Sequence, residues 1–247
     1  MNPFSSVCDD YYINVNLNTE LDLPTDRETI LHFFERIQKN YPRMRNFYVR
    51  ENGDFVLEED REAGAYRWVT VEQRRIASGV VNFNTSDEAY AQHQLVVELA
   101  PYFLAVSPLD CEALDLLFGF DFSYTGNHDE VIADALGIAP ALESLLNVPG
   151  AKVINYEPSI ILALDEACRL QCRLNVETRT NAYQIRTGEF HEDQISVYFT
   201  VRQYGGIGPD FSFLDALARQ RELGEEVVQN QVIPQVLHPV AQAIAAR

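Results

Sequence analysis

Arginine recognises carboxylate and phosphate groups through a planar, two-pronged fork of donors, and one stretch of this chain concentrates it. In "CRLQCRLNVETRT" (168–180), strand alternation places Cys168, Leu170, Cys172, Leu174 and Val176 on one face. The other face then carries Arg169, Gln171, Arg173, Asn175, Glu177 and Arg179. Arg202 falls on the strand expected beside it, and Arg186 on a hairpin between them. Arg169, Arg173 and Arg202 are therefore the candidate anchors for a small anionic ligand. The competing expectation is a solvated or partner-facing sheet surface, its charges met by Glu177 and Glu189.

Four other patterns carry weaker chemistry. "YGGIGPDF" (204–211) sets three glycines where a strand should turn into a helix, the place where backbone amides can hold an anion. Its spacing fits neither the dinucleotide fingerprint nor the phosphate loop with its Lys-Ser/Thr ending. Pro209 lacks an amide proton, and Asp210 puts a carboxylate where phosphate would sit. The turn Gly205-Gly206-Ile207-Gly208 therefore reads as a corner, with Asp210 or Ser212 capping the next helix. "NHDE" (127–130) and "HED" (191–193) combine histidine with carboxylates but lack a recognised metal-ligand spacing, so no metal or other cofactor is expected. Cys111 lies between Asp110 and Glu112, whose charges oppose a thiolate. "IASGV" (76–80) lies within a strand and offers no nucleophile elbow, and His32 and His93 sit on helices without local partners. Phe118, Phe120 and Phe122 share one strand face and read as core.

The elements that must position these residues follow a repeated order. Ile13, Val15 and Leu17 alternate with Asn14, Asn16 and Asn18 in a half-buried strand. Thr25 and Glu28 form a capping box ahead of a helix with Ile30, Phe33, Phe34 and Ile37 on one face. A hairpin turning at Asn52-Gly53 and a strand run over 66–83, with a break near Gln73, lead to a second cap at Thr85. The order restarts with a strand over 114–124 and a third cap at Asn127. Strands are expected over 152–165, 168–179, 182–189 and 194–203, followed by a long C-terminal helix broken near Pro234 and Pro239.

These elements predict an α+β fold of tandem β-α-β-β-(β)-α units, with antiparallel sheet and helices on one face. The first unit spans 1–110 and the second 111–247, the two forming one pseudo-symmetric domain. Cap to last helix start spans 60 residues in the first unit (25 to 85) and 83 in the second (127 to 210), room for an extra hairpin. In this order of elements the chain resembles duplicated α+β folds, among them the TATA-binding-protein and ferredoxin-like groups. The resemblance is of topology alone and implies no residue role and no activity.

Composition bounds the function. With 19 basic against 37 acidic residues the net charge is -18, which opposes nucleic-acid backbones and anionic membranes. No apolar run approaches the ~20 residues that span a bilayer, and the N-terminus shows no secretory signal pattern. Four irregularly placed cysteines suit a reducing, cytoplasmic setting. The leading expectation is a soluble, non-enzymatic binding or assembly protein, a homodimer or the companion of another protein. The polar sheet face and the terminal helix with Gln220, Gln229, Gln231 and Gln235 are the expected pairing surfaces. The alternative is an enzyme or sensor for a small anionic ligand held by the arginines.

Overall fold

The computed structural model describes residues 4, 6–205 and 212–247. Its first strand β1 (Asp10–Thr19) buries Tyr11, Ile13, Val15 and Leu17 on one face, as the alternation requires. Helix α1 (Arg27–Asn40) packs Ile30, Phe33, Phe34 and Ile37 into the core. Its cap is Asp26, whose carboxylate accepts from Thr29 N at 2.9 Å, and not the expected Thr25. A carboxylate one residue nearer the helix meets both the free amide and the positive end of the dipole. Strands β2 (Asn46–Val49) and β3 (Phe55–Glu58) make the hairpin, with Gly53 in a positive-φ turn at +93°. Strands β4 (Tyr66–Val71) and β5 (Arg75–Val81) follow, and Thr85 caps α2 (Ser86–Phe103).

The second half opens with β6 (Cys111–Thr125) and α3 (His128–Leu136), capped by Asn127. Short helix α4 (Pro140–Glu143) precedes β7 (Ser159–Ala163) and β8 (Leu170–Glu177). The segment expected as a strand over 182–189 is instead helix α5 (Ala182–Thr187), and no hairpin forms there. Asn181 and Gln184 close a reciprocal capping box, and Gly188 ends the helix in the left-handed region; local capping outweighs the alternation. Strand β9 (Glu192–Tyr204) leads toward α6 (Phe213–Val227), capped by Ser212, whose hydroxyl accepts from Asp215 N at 3.2 Å. The chain continues through a π-helical stretch, Val228–Leu237, into α7 (His238–Ala245). Pro234 lies within the wider turns, where its missing amide interrupts the ordinary helical ladder. Of the expected glycine corner, residues 206–211 lie outside the described residues. Gly205 is described: its N–H donates to Glu112 O at 2.9 Å, and a β-carbon there would lie 2.4 Å from Cys111 O.

The nine strands of the described residues form one antiparallel sheet in the order β2-β3-β4-β5-β1-β6-β9-β8-β7. The two first strands, β1 and β6, pair at the centre with Val15 opposite Leu116. Outward from that pair, each side runs through the later strands of its own half in descending order. The β1–β5 side reaches β2, whereas the β6–β9 side stops at β7.

Helices α2 and α6 dock on the core face by buried polar contacts as well as apolar ones. On α2, Gln92 and His93 are fully buried. Gln92 Nε2 donates to Ser78 Oγ at 2.9 Å, and His93 Nε2 lies 3.1 Å from Ile13 O. A carbonyl only accepts, so Nε2 carries the proton and Nδ1 accepts from the Ser78 hydroxyl at 3.0 Å. On α6, Gln220 Nε2 donates to Leu114 O at 2.7 Å and to Val201 O at 3.1 Å. Gln220 is thus buried against the sheet and cannot serve as the outward pairing surface expected of it.

Candidate functional site

Helices α2 and α6 pack on one side of the sheet, and the other side presents its alternate residues without a helix packed over them among the described residues. On β1 these are Tyr12, Asn14, Asn16 and Asn18, each half-buried. On the same side of β6 stand Asp115, opposite Asn16, and Asp121, opposite Asp10, only 5% and 7% exposed although they point away from the helices. Two side chains lie flat and shield the strands between. The Tyr12 ring covers Gly119, its register partner, and the Trp68 indole covers Gly79. A β-carbon at Gly119 would lie 2.1 Å from the Tyr12 ring and one at Gly79 2.2 Å from the indole. Glycine is what lets the rings lie against the backbone.

Two hollows flank the central strand pair. One, of about 410 Å³, lies over β6, β9 and β8 and is lined by Asp115, Gln171, Arg173, Tyr198 and Arg202. The other, of about 570 Å³, is lined by Tyr12, Asn14, Arg61, Tyr66, Trp68 and Asp121. Arg75, at the start of β5, lines both.

Of the three expected anchors, Arg173 and Arg202 line the same hollow, and Arg169 is not among its lining residues. Arg169 sits one residue before β8, exposed, with its backbone tied to the Asp165 carboxylate at 2.7 Å. Arg202 is already engaged. Its Nε and Nη2 donate to the two oxygens of Asp115, directly across the ladder, at 2.6 and 2.7 Å. Asn18 Nδ2 adds a third bond to that carboxylate at 3.1 Å. The Asp115 bonds hold the Arg202 guanidinium still further above its already high ordinary value, against the opposing effect of burial. Such a neutralised fork positions the hollow's floor and has little attraction left for an anion. Arg75 is likewise paired, with Glu72 at 2.5 Å. The Arg173 side chain is exposed and makes no ion pair or hydrogen bond among the described residues.

In the second hollow, the Asn14 side-chain oxygen is shielded from solvent and has no hydrogen-bond partner among the described residues. Burial raises the Asp121 carboxyl above the usual carboxylate range, and the Tyr12 hydroxyl lies 3.5 Å away. These half-buried groups were visible in the sequence as the alternating asparagines of β1, read there only as a strand signal. Trp68 and Asp121 carried no signal that separated them from ordinary strand residues.

In the first His–carboxylate cluster, His128 and Asp129 are spent on structure, whereas His191 of the second is exposed. His128 Nε2 bonds Tyr124 O at 3.1 Å, and Asp129 accepts from Tyr156 N and Thr178 Oγ1, both at 2.7 Å. Among the described residues no three His, Cys, Asp or Glu side chains converge to hold a metal ion. Burial, reinforced by neighbouring carboxylates, pushes the Cys8 and Cys111 thiols up to about 12. Ser78, in "IASGV", is buried beneath α2. No helix among the described residues is long and apolar enough to cross a membrane.

No family model matches the chain. No curated protein is similar to it in sequence.

Proposed function

We propose that the protein works by binding, and that the uncovered face of its sheet is the binding surface. The observation that carries this reading is the pair of adjoining hollows on that face, bridged by Arg75. They are lined by half-buried amides, rings and charges, among them the unpartnered Asn14 oxygen. Flat rings flanked by fixed donors and acceptors suit a polar ligand with planar or ring-shaped parts. Trp68 is the chain's single tryptophan and lines the larger hollow, so its emission reports on that site directly. Titration with sugars, nucleosides, dipeptides and small carboxylates should shift Trp68 emission for one class, and Asn14→Ala should weaken that response. If no class changes the emission or the melting temperature, the binding reading fails.

A second reading, a small anionic ligand in the smaller hollow, draws support from the unpaired guanidinium of Arg173. It requires that carboxylates bind and that Arg173→Ala abolish their binding; equal binding by both forms removes it. Four cysteines that form no disulfide, Cys8, Cys111, Cys168 and Cys172, suit a cytoplasmic setting.

We also infer that residues 1–110 and 111–247 are two copies of one unit. If Val15 is taken as the counterpart of Leu116, its partner across the central ladder, then Ile13 corresponds to Leu114 and Ser78 to Val201. His93 reaches Ile13 O and Ser78, and Gln220 reaches Leu114 O and Val201 O. Each stands eight residues after its helix cap, Thr85 or Ser212.

A further inference from the structure

The larger hollow on the open face can be balanced charge by charge. Three guanidiniums line it, and each already has a carboxylate of its own. Arg61 pairs with Glu58 at 2.7 Å, Arg75 with Glu72 at 2.5 Å and Arg50 with Asp54 at 3.7 Å. Two further lining carboxylates, Asp10 and Asp121, stand opposite each other across the β1–β6 ladder and form no ion pair among the described residues. Asp10 accepts from Asn82 Nδ2 at 2.6 Å and Asp121 has the Tyr12 hydroxyl 3.5 Å away, both neutral groups. The field of Arg179 reaches Asp121, but that side chain is spent on Ser196 Oγ at 3.0 Å and Asp193 at 3.7 Å.

The other unmet groups have the same preference. The Asn14 side-chain oxygen, shielded and unpartnered among the described residues, offers lone pairs and no proton. The Tyr12 and Trp68 rings lie against glycine backbone, and no cation sits over either ring among the described residues. The face of an aromatic ring is its negative part and attracts cations. The hollow already holds one such contact, the Arg61 guanidinium 5.6 Å from the centre of the Tyr66 ring. Asp10, Tyr12 and Asn14 follow one another on one face of β1, so carboxylates, ring and amide oxygen form a continuous run.

We propose that the ligand of this hollow is a small organic cation, an amine or guanidinium compound. Its charged group sits by Asp10 and Asp121, and its body lies along Tyr12 and Trp68 toward the Asn14 oxygen. The sign of the charge follows from what is unmet. An anion entering the hollow would find three guanidiniums already paired and two carboxylates that repel it. A cation finds two carboxylates, open ring faces and an acceptor with nothing to accept from. The field of the whole chain, at net charge -18, draws cations in as well. A volume of about 570 Å³ suits a small molecule. This inference rests on the binding reading above and narrows it to one chemical class.

Tyramine and 3-(4-hydroxyphenyl)propionate have nearly the same shape and opposite charge, and agmatine carries cationic groups without a ring. Calorimetric titration of the full chain at neutral pH, with Trp68 emission as the local report, should show tyramine and agmatine binding and the propionate failing to bind. Asp121→Asn and Asp10→Asn should each weaken the two cations by about tenfold or more. Asp121→Asn removes a buried charge, so that variant should melt no lower than the parent, which separates lost binding from a lost fold. If the propionate, a sugar or a nucleoside binds as tightly as the two cations or more so, the proposal is overturned and the binding reading stands. Equal affinity of the parent and both variants for the cations overturns it too. If no compound of any class binds, both readings fall.

Discussion

His93 offers a quantitative test of how α2 is held to the sheet. Its ring is fully buried, and every polar atom on it has a neutral partner, the Ile13 carbonyl or the Ser78 hydroxyl. Burial pushes it down from 6.5 to about 3. The folded protein therefore keeps this imidazole neutral at pH values where the unfolded chain protonates it. A histidine whose folded value is depressed costs stability as pH falls from 6.5 toward 3, and is silent above 6.5. With these two values, the unfolded state gains about 2 kcal/mol at pH 5 relative to pH 7 from this one site. For a domain of this size that corresponds to a fall of roughly 4–8 °C in melting temperature. Other groups also titrate, and Asp121 works in the opposite sense, so the contrast must be internal. His93→Gln keeps an amide donor for Ile13 O, the arrangement Gln220 already uses at Leu114 O. The variant should lose about 2 kcal/mol less than the parent protein between pH 7 and pH 5, measured by urea unfolding at each pH. Parallel pH profiles for the two proteins would refute the reasoning, because they would mean that His93 protonates equally in both states.

Three further outcomes follow from the same geometry. Arg202→Ala strands the buried Asp115 carboxylate and should cost about 2 kcal/mol, below the roughly 3–5 of a fully buried pair because Arg202 is partly exposed. Adding Asp115→Asn to that variant should restore part of the loss in urea unfolding; no recovery would mean that the pair is not coupled. Gly79→Ala displaces the Trp68 indole and should red-shift its emission while lowering stability by about 1–3 kcal/mol. Of the four thiols, exposed Cys168 should react rapidly with a thiol reagent in the folded protein, and Cys8 and Cys111 only on unfolding.

The strands, helices and caps were legible wherever a local pattern had one physical solution. Period-2 alternation at Ile13, Val15 and Leu17 can bury one face only as a strand, and Thr85 and Asn127 can satisfy free amides only at a helix start. The misreadings also have local causes. At 182–187 a capping box and Gly188 compete with a strand pattern, and single-residue periodicity does not weigh the two. Near Thr25, two adjacent residues could each have capped the helix, and the carboxylate did so. The glycine corner sharpened in a different way: Gly205 stands where a side chain would collide with Cys111, so close backbone packing accounts for that residue.

The candidate site was legible only in part. Alternation correctly put Arg173 and Asn175 on the face away from the core, and Arg202 on the neighbouring strand with the same orientation. It could not reveal that Asp115 stands opposite Arg202 across the β6–β9 ladder, because their pairing links residues far apart in the chain. Charge neutralisation, and with it the fate of an anion anchor, is decided by such long-range register. Sequence by itself determined the α+β class, the acidic surface and which side of each regular strand is apolar, since these depend on composition and on neighbours a few residues away. Tertiary structure alone decided the order of strands. That order made β1 and β6 the centre, left β7 as a bare edge, and turned Tyr12, Asn14, Trp68 and Arg75 into parts of one surface.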